Sequence, residues 1–222
     1  MKPSNWLLTS LLSTSLLLGC QSEAARPDYA ADLGKPGLPG SGEQTLSYPE
    51  GPYGENDPQL GDVIENLKFD GYLASDGTKL TSSREVESIT FADLREAGKR
   101  YAVIHVSAFW CESCTLGALD LSENAKAVLA RDGAIIELLV DGTASGSDPT
   151  FAELADWIDM GGLTVNTVAP GDERVREVFP SREHAYIIDL ETMQVVWRHS
   201  GLFENPSTVD RAVSTLLSQY LL

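Results

Sequence analysis

Tyr101-Ala-Val-Ile-His-Val-Ser-Ala-Phe-Trp-Cys-Glu-Ser-Cys114 is the stretch that decides the fold. Tyr101 to Ser107 is a nearly continuous apolar run, as a central strand buried on both faces should be. Residues 112–130 then carry Leu116, Leu119, Leu121, Ala125, Val128 and Leu129 at helical spacing. A strand that ends in Trp-Cys-x-x-Cys and turns into a helix sets the first sulfur at a helix N-terminus. Free backbone N–H groups and the positive end of the helix dipole favour a thiolate there over a thiol. That arrangement suits thiol–disulfide exchange, and few other features of the chain point to any chemistry.

The flanking sequence alternates strand and helix signals. Upstream, Gly61 to Phe69 reads as a short strand, and Asp76-Gly77 is a hairpin signal within Gly71 to Leu80. Ile89 to Ala97 reads as a short helix with Thr90 as N-cap and Phe91 and Leu94 facing inward. Downstream, Asp132-Gly133 stops the long helix and Ala134 to Val140 is a second buried strand. Asp148-Pro149-Thr150 opens a helix running to Asp159, with Pro149 suited to an early position. A strand over Leu163 to Val168, a helix over Asp172 to Val178, strands at Ala185–Asp189 and Gln194–Arg198, and an amphipathic helix over Thr208 to Leu221 complete the order. The sequence thus predicts an α/β fold with a central mixed sheet flanked by helices. Strands joined by helical crossovers should be parallel, and the closing hairpin antiparallel.

The N-terminus has a different texture. Met1-Lys2 is followed by an apolar stretch from Trp6 to Leu18, too short to span a bilayer and suited to a secretory leader. It ends in Leu17-Leu18-Gly19-Cys20, which resembles the lipobox of bacterial lipoproteins, where the cysteine is lipidated and becomes the mature N-terminus. By that resemblance residues 1–19 are a signal peptide and Cys20 is a lipid anchor. Gln21 in place of Asp points to the outer membrane of a bacterial cell envelope, with the protein facing the periplasm. Cys111 and Cys114 then remain as one pair of thiols in an export compartment, where disulfides persist. Residues 20–57 are rich in Pro, Gly, Ser and acidic groups and read as a flexible linker, in which Tyr48 to Gly54 is a more aromatic patch. The folded domain is expected over 58–222. The 222-residue chain has 16 basic and 33 acidic residues and a formal charge of −17. That balance speaks against binding nucleic-acid phosphates or adhering to anionic lipid by charge.

With Trp-Cys-x-x-Cys after the first buried strand, the order of elements resembles the thioredoxin fold, and within it the TlpA-like redoxins, membrane-tethered extracytoplasmic thiol–disulfide oxidoreductases. The likeness is carried by Gly61–Phe69 with Asp76-Gly77-Thr78, by Lys99–Cys114, and by Ala185-Tyr186-Ile187-Ile188-Asp189. It implies that Cys111 is the attacking thiolate and Cys114, one turn further on, the resolving cysteine, with protein thiols and disulfides as partners and no cofactor. At i and i+3 the two sulfurs can close a small ring. Glu112 and Ser113 lie between them. The Glu112 carboxylate disfavours a thiolate at Cys111, which leans towards a reducing role.

His105 falls where thioredoxins carry a buried proton-shuttling Asp near the resolving cysteine. A histidine there could shuttle protons nearer neutral pH, or be a core residue bonded to backbone. Trp110 borders the partner surface. The position of the family's cis-proline, counted back from Ile188-Asp189, falls on Glu183, with Pro180 three residues earlier. Glu183 is therefore expected at the substrate-binding surface with Trp110, Glu112 and Ser113. His184 is expected close to the cysteines. A Cys111, Cys114, His184 set would suit a copper(I) or other soft-metal chaperone, a rival reading. A zinc site would need further ligands, for which the chain offers no second cysteine pair. A third reading is a redox-inert lipoprotein that uses the fold for protein contacts. Residues 107–111 lack the proline and threonine placement that peroxiredoxins use before their reactive cysteine.

Overall fold

The computed structural model describes residues 48–74, 77–180 and 182–200. The leader, Cys20, most of the linker and the expected helix over 208–221 lie outside the described residues. Among the described residues seven strands form one sheet: β1 (Lys68–Tyr72), β2 (Glu87–Thr90), β3 (Tyr101–Ala108), β4 (Gly133–Asp141), β5 (Asn166–Pro170), β6 (His184–Asp189) and β7 (Gln194–Ser200). Among the described residues four helices accompany it: α1 (Phe91–Glu96), α2 (Glu112–Leu129), α3 (Phe151–Gly161) and α4 (Glu173–Val178). The strand order is β2-β1-β5-β4-β3-β6-β7. Parallel pairing joins β3 to β4 and β4 to β5, across the helical crossovers, while β6 runs antiparallel to both β3 and β7. This is the mixed α/β sheet that the alternating pattern predicts.

Alternation along the central strands sorts the core onto two faces. Ala102, Ile104 and Val106 of β3 join Ile136 and Leu138 of β4 and Tyr186 and Ile188 of β6 on the face covered by α1 and α4. Val103, Ile135, Ala185 and Ile187 face the other way, towards Leu121, Ala125 and Val128 of α2. Both faces of β3 are sealed, which explains its nearly continuous apolar run. The first turn of α2 continues this second face, where Cys111, Cys114 and Ala118 pack with Leu139, Leu154, Trp157 and Ile158.

Local signals set the helix starts. Thr90 caps α1 in a reciprocal box with Asp93, and Thr150 caps α3 in the same way with Glu153. Glu153 also accepts the backbone N–H of Thr143 at 2.7 Å, so one carboxylate both caps α3 and ties down the loop after β4. Asp132 takes a left-handed φ of 58° between α2 and Gly133. Any side chain at Gly133 would meet Val128 of α2 at 2.5 Å, so the turn that ends the helix requires glycine there.

Three expectations need correction. The first strand is Lys68–Tyr72, later than Gly61–Phe69, because Val63 makes only an isolated bridge to Gln194. Its antiparallel partner is Glu87–Thr90, so Gly77 belongs to a long loop and not to a tight hairpin; Ser75 and Asp76 lie outside the described residues. Residues 48–57, assigned to the linker, pack on the domain. Tyr48 packs against the first core face, and Asp57 accepts two 2.7 Å bonds from Arg198 and one of 2.7 Å from the Tyr186 hydroxyl. Burial, with Asp57 beside it, pushes the Tyr186 phenol well above its ordinary range. Arg174 anchors the same segment through Glu55 and also pairs with Glu65 and Glu177. Charge pairing thus recruits a stretch whose composition reads as linker. Among the described residues no helix is long and apolar enough to cross a membrane.

Hydrogen bonds from the Thr150 and Thr143 backbone and from the Thr150 hydroxyl hold the Glu153 carboxyl below its ordinary value of 4.5. A depressed carboxylate contributes stability that is present above about pH 4.5 and is lost as pH falls through the folded value. Glu153→Gln is therefore expected to lower Tm by a few degrees at neutral pH, with the difference shrinking as the pH falls below 4.5. Thermal melts across that range check it, and a difference persisting undiminished at pH 3 would contradict it.

Candidate functional site

The site grows out of the end of β3. Cys111 N–H donates to Ala108 O at 2.9 Å, closing the turn that carries the chain from strand to helix. Cys111 is then the N-cap of α2, with extended backbone, and its Sγ accepts the N–H of Cys114 at 3.2 Å. The sulfur occupies the place that a capping oxygen fills elsewhere, so backbone dipoles point at it. Cys111 and Cys114 are joined in a disulfide across a Cα–Cα distance of 5.2 Å. Cys114 is fully buried, whereas Cys111 keeps 4 % exposure at the floor of an open cleft of about 460 Å³. Of the two sulfurs, only Cys111 reaches the cleft, whose walls are Trp110, Glu112, Ser113, Leu116, Arg182 and Glu183.

Glu183 sits directly over the pair. Its Oε1 lies 3.4 Å from Cys111 Sγ and accepts the Ser113 hydroxyl at 2.8 Å. Ser113 Oγ in turn stands 3.3 Å from the same sulfur. Glu183 has a left-handed φ of 60°, and its N–H donates to Val106 O at 2.8 Å. Among the described residues the one cis peptide precedes Pro52, so neither Pro180 nor Glu183 supplies a cis bond beside the disulfide.

The remaining sequence candidates divide between the two faces of the sheet. Trp110 is 39 % exposed, and the Arg182 guanidinium lies 3.8 Å over its ring, a cation–π pair at the rim of the cleft. Glu112 is exposed on the first turn of α2. His184 is a correction. It pairs with Val106 across β3–β6 and shares the face of Tyr186, on which its ring stacks. Its Nδ1 lies 2.9 Å from Arg182 O, and its Nε2 is turned towards Asp57 at 3.9 Å. Strand alternation thus sends His184 away from the cysteines and gives its neighbour Glu183 that place, which removes the third ligand of the copper reading. Leu116, expected among the inward leucines, is 38 % exposed and lines the cleft.

His105 is fully buried, and its partner is a side chain, not backbone. Its Nδ1 lies 2.6 Å from Glu137 Oε2, and Ser107 Oγ donates to Glu137 Oε1 at 2.5 Å. His105 and Glu137 are opposite one another in the parallel register, and Thr167 on β5 continues the row. Alternation puts all three beneath α2, between the apolar cluster at Cys114 and that at Leu121. Glu137, Ser107 and Arg182 are absent from the sequence reading. Glu137 left a legible signal, a lone charge inside the apolar run Ala134 to Val140.

No family model and no curated protein matches the sequence. Solved structures do match the fold. A candidate thiol:disulfide interchange protein DsbE from Chlorobium tepidum superposes with a TM-score of 0.52 at 10 % identity, covering 74 % of this chain and 99 % of that one. The thioredoxin domain of a thiol-disulfide oxidoreductase from Bacteroides vulgatus gives 0.50 at 14 % identity, covering 71 % and 97 %. AhpC of Mycobacterium tuberculosis gives 0.50 at 14 %, covering 75 % and 97 %. At these identities the likeness establishes the thioredoxin fold.

Two predictions come from this geometry. Removing one member of a buried hydrogen-bonded pair leaves the other unsatisfied, at a cost of about 1–3 kcal/mol. His105→Leu and Glu137→Leu should each lose about that much in urea unfolding, and the double variant should lose clearly less than the sum. Strict additivity would show that the two groups are not coupled. The Glu183 carboxylate beside Cys111 opposes a thiolate, so Glu183→Gln in the reduced protein should speed iodoacetamide alkylation of Cys111 at pH 7 by about tenfold. An unchanged or slower rate would show that Glu183 does not act on the thiolate.

Proposed function

We propose that this thioredoxin-fold chain is a thiol–disulfide oxidoreductase that works outside the cytoplasm, tethered to the bacterial envelope through a lipid on Cys20, and that it acts as a reductant of protein disulfides. The observation that carries the reading is the Cys111–Cys114 disulfide at the N-terminus of α2, with Cys111 Sγ at the floor of an open cleft. The lipobox-like Leu17-Leu18-Gly19-Cys20 supports the envelope location, and the Pro-rich stretch behind it suits a tether.

In the reduced protein the Cys111 thiolate attacks one sulfur of a partner disulfide. The partner S–S bond breaks, and its second sulfur leaves as a thiolate and takes a proton. Cys114, once deprotonated, attacks Cys111 Sγ of the mixed disulfide and expels the partner's remaining thiolate, which is protonated in turn. Two electrons and two protons pass from the dithiol to the partner. Because Cys114 is buried, its proton needs an internal acceptor, and the His105–Glu137 pair on the same face of the sheet is the group that fits.

The reducing direction rests on charge. Glu112 and Glu183 both line the cleft with Cys111. Against the N–H of Cys114 and the helix dipole, two carboxylates lower the advantage of the thiolate, so the reduced state is less favoured and gives up electrons more readily. Trp110, Ser113, Glu183 and the exposed Leu116 form the surface on which a partner docks.

Insulin-disulfide reduction with dithiothreitol as electron source tests the reading. The parent chain should accelerate precipitation of the insulin B chain, Cys111→Ser should abolish this, and His105→Gln should slow only the second, resolving step in single turnover near neutral pH. A parent chain with no turnover would sink the oxidoreductase reading and leave a redox-inert lipoprotein. An unchanged resolving rate in His105→Gln would remove the histidine from the proton path.

A further inference from the structure

Cys111 Sγ, Cys114 Sγ and a Glu183 carboxylate oxygen all lie within 4.8 Å of one another. They come from three places in the fold: the cap of α2, its first turn, and the residue before β6. Glu183 reaches the sulfurs only because its left-handed backbone and the alternation of β6 turn it towards α2. We propose that, once the disulfide is reduced, these three groups form a zinc site, with Cys111 Sγ, Cys114 Sγ and a Glu183 oxygen as ligands and the fourth position open to the cleft.

The ligand types and spacing match a borderline divalent cation. Tetrahedral zinc holds thiolate sulfur at about 2.3 Å and carboxylate oxygen at about 2.0 Å, which sets sulfur and oxygen roughly 3.5 Å apart and two sulfurs roughly 3.8 Å apart. Glu183 Oε1 already stands 3.4 Å from Cys111 Sγ. The two sulfurs must separate, which reduction of the bond that joins them allows, and the Glu183 oxygen starts within 4.8 Å of both. A hard carboxylate as third ligand favours zinc over copper(I), which prefers sulfur or imidazole.

Groups around the ligands fit the same assignment. Ser113 Oγ–H donates to Glu183 Oε1, fixing that carboxylate, and Cys114 N–H donates to Cys111 Sγ, relieving charge on the sulfur. Two thiolates and a carboxylate around Zn²⁺ carry a net charge of −1, and the Arg182 guanidinium lines the same cleft. The fourth position faces a cleft of about 460 Å³, which gives the ion a path in.

The chemistry balances simply. A dithiol reductant supplies two electrons and two protons to the disulfide and becomes a disulfide itself. The two cysteine thiols then give up two protons as Zn²⁺ binds. Zinc and oxidation compete for one pair of sulfurs. Bound metal holds the pair reduced by mass action, and oxidation releases the metal.

The site shares its cysteines with the exchange reaction but does not depend on turnover. The test uses the whole chain with Cys20→Ser, which removes the third thiol. The protein is reduced with a phosphine, freed of reductant, and titrated with zinc sulfate against a chromogenic chelator. The result expected is one zinc per chain in the reduced protein and none in the oxidised protein, which serves as a control with the same fold. Glu183→Gln should weaken binding at least about tenfold, because even groups that only support a metal ligand are worth that much. Cobalt(II) in place of zinc should give thiolate charge-transfer bands and the intense visible bands of a tetrahedral site. The proposal is overturned if the reduced chain binds no zinc, if the oxidised chain binds it equally, or if Glu183→Gln binds as tightly as the parent. A chain that binds zinc without reducing insulin would sink the exchange reading alone, and one that reduces insulin without binding zinc would sink this one alone.

Discussion

The register of β3 against β6 decides what surrounds the cysteines. β3 carries the chain up to the turn at Ala108–Cys111, and β6 enters beside it with His184 opposite Val106. Because side chains alternate, that register puts Glu183 and Ala185 on the α2 side and His184 and Tyr186 on the other. Slipping the pairing by one residue would exchange a carboxylate for an imidazole over Cys111, with a different charge at the sulfur and a different preference among metals. The packing that holds the register is ordinary and extensive: Ile104, Val106, Tyr186 and Ile188 on one face, Val103 and Ile187 on the other. The chemistry of an open cleft therefore depends on apolar contacts that never touch a substrate.

Two electrostatic tendencies meet at Cys111. The N-terminus of α2 and the Cys114 N–H stabilise negative charge on the sulfur, as at any capped helix. Glu183 and Glu112 oppose it. The backbone contribution is built into the fold and follows from a strand turning into a helix. The carboxylate contribution is local and belongs to this chain. Beneath α2, His105 and Glu137 are both at 0 % exposure, where an unpartnered polar side chain would be costly. Each is tolerable because the other is present, and Ser107 satisfies the second carboxylate oxygen.

Much of the fold was legible because it is written in periodicity and in caps. The apolar run at Tyr101, the helical spacing from Leu119 to Leu129 and the capping threonine at 90 each have a local physical cause, and each of these elements lies within a few residues of its expected place, although Pro149, expected early in a helix, precedes the Thr150 cap of α3. The dithiol and the position of Glu183 were legible through motif spacing. What failed was long-range. Nothing near residue 57 announces that Asp57 meets Arg198 more than a hundred residues later, so docked chain reads as linker. Glu87–Thr90 is too short and too polar to read as a strand until Lys68–Tyr72 lies beside it. The direction of His184 depends on a register that spacing alone does not fix. Glu137 was visible as an anomaly, yet its partner His105 could be named only once β3 and β4 were aligned.

Glu183 also constrains how any visitor reaches the pair. With its carboxylate 3.4 Å from Cys111 Sγ, an approaching sulfur must enter past it or displace it. Displacement breaks one bond, from Ser113 Oγ, and leaves the backbone bond to Val106 intact, so the side chain can swing while the strand stays fixed. A partner that offers a donor to this carboxylate would be admitted more readily than one that offers a second negative charge. On a chain of net charge −17 the same preference extends over the whole surface, steering neutral or basic partners towards the cleft. A divalent cation satisfies the same demand in its simplest form. The carboxylate that makes thiolate at Cys111 costly towards protein disulfides is thus the group that makes the reduced pair attractive to a metal.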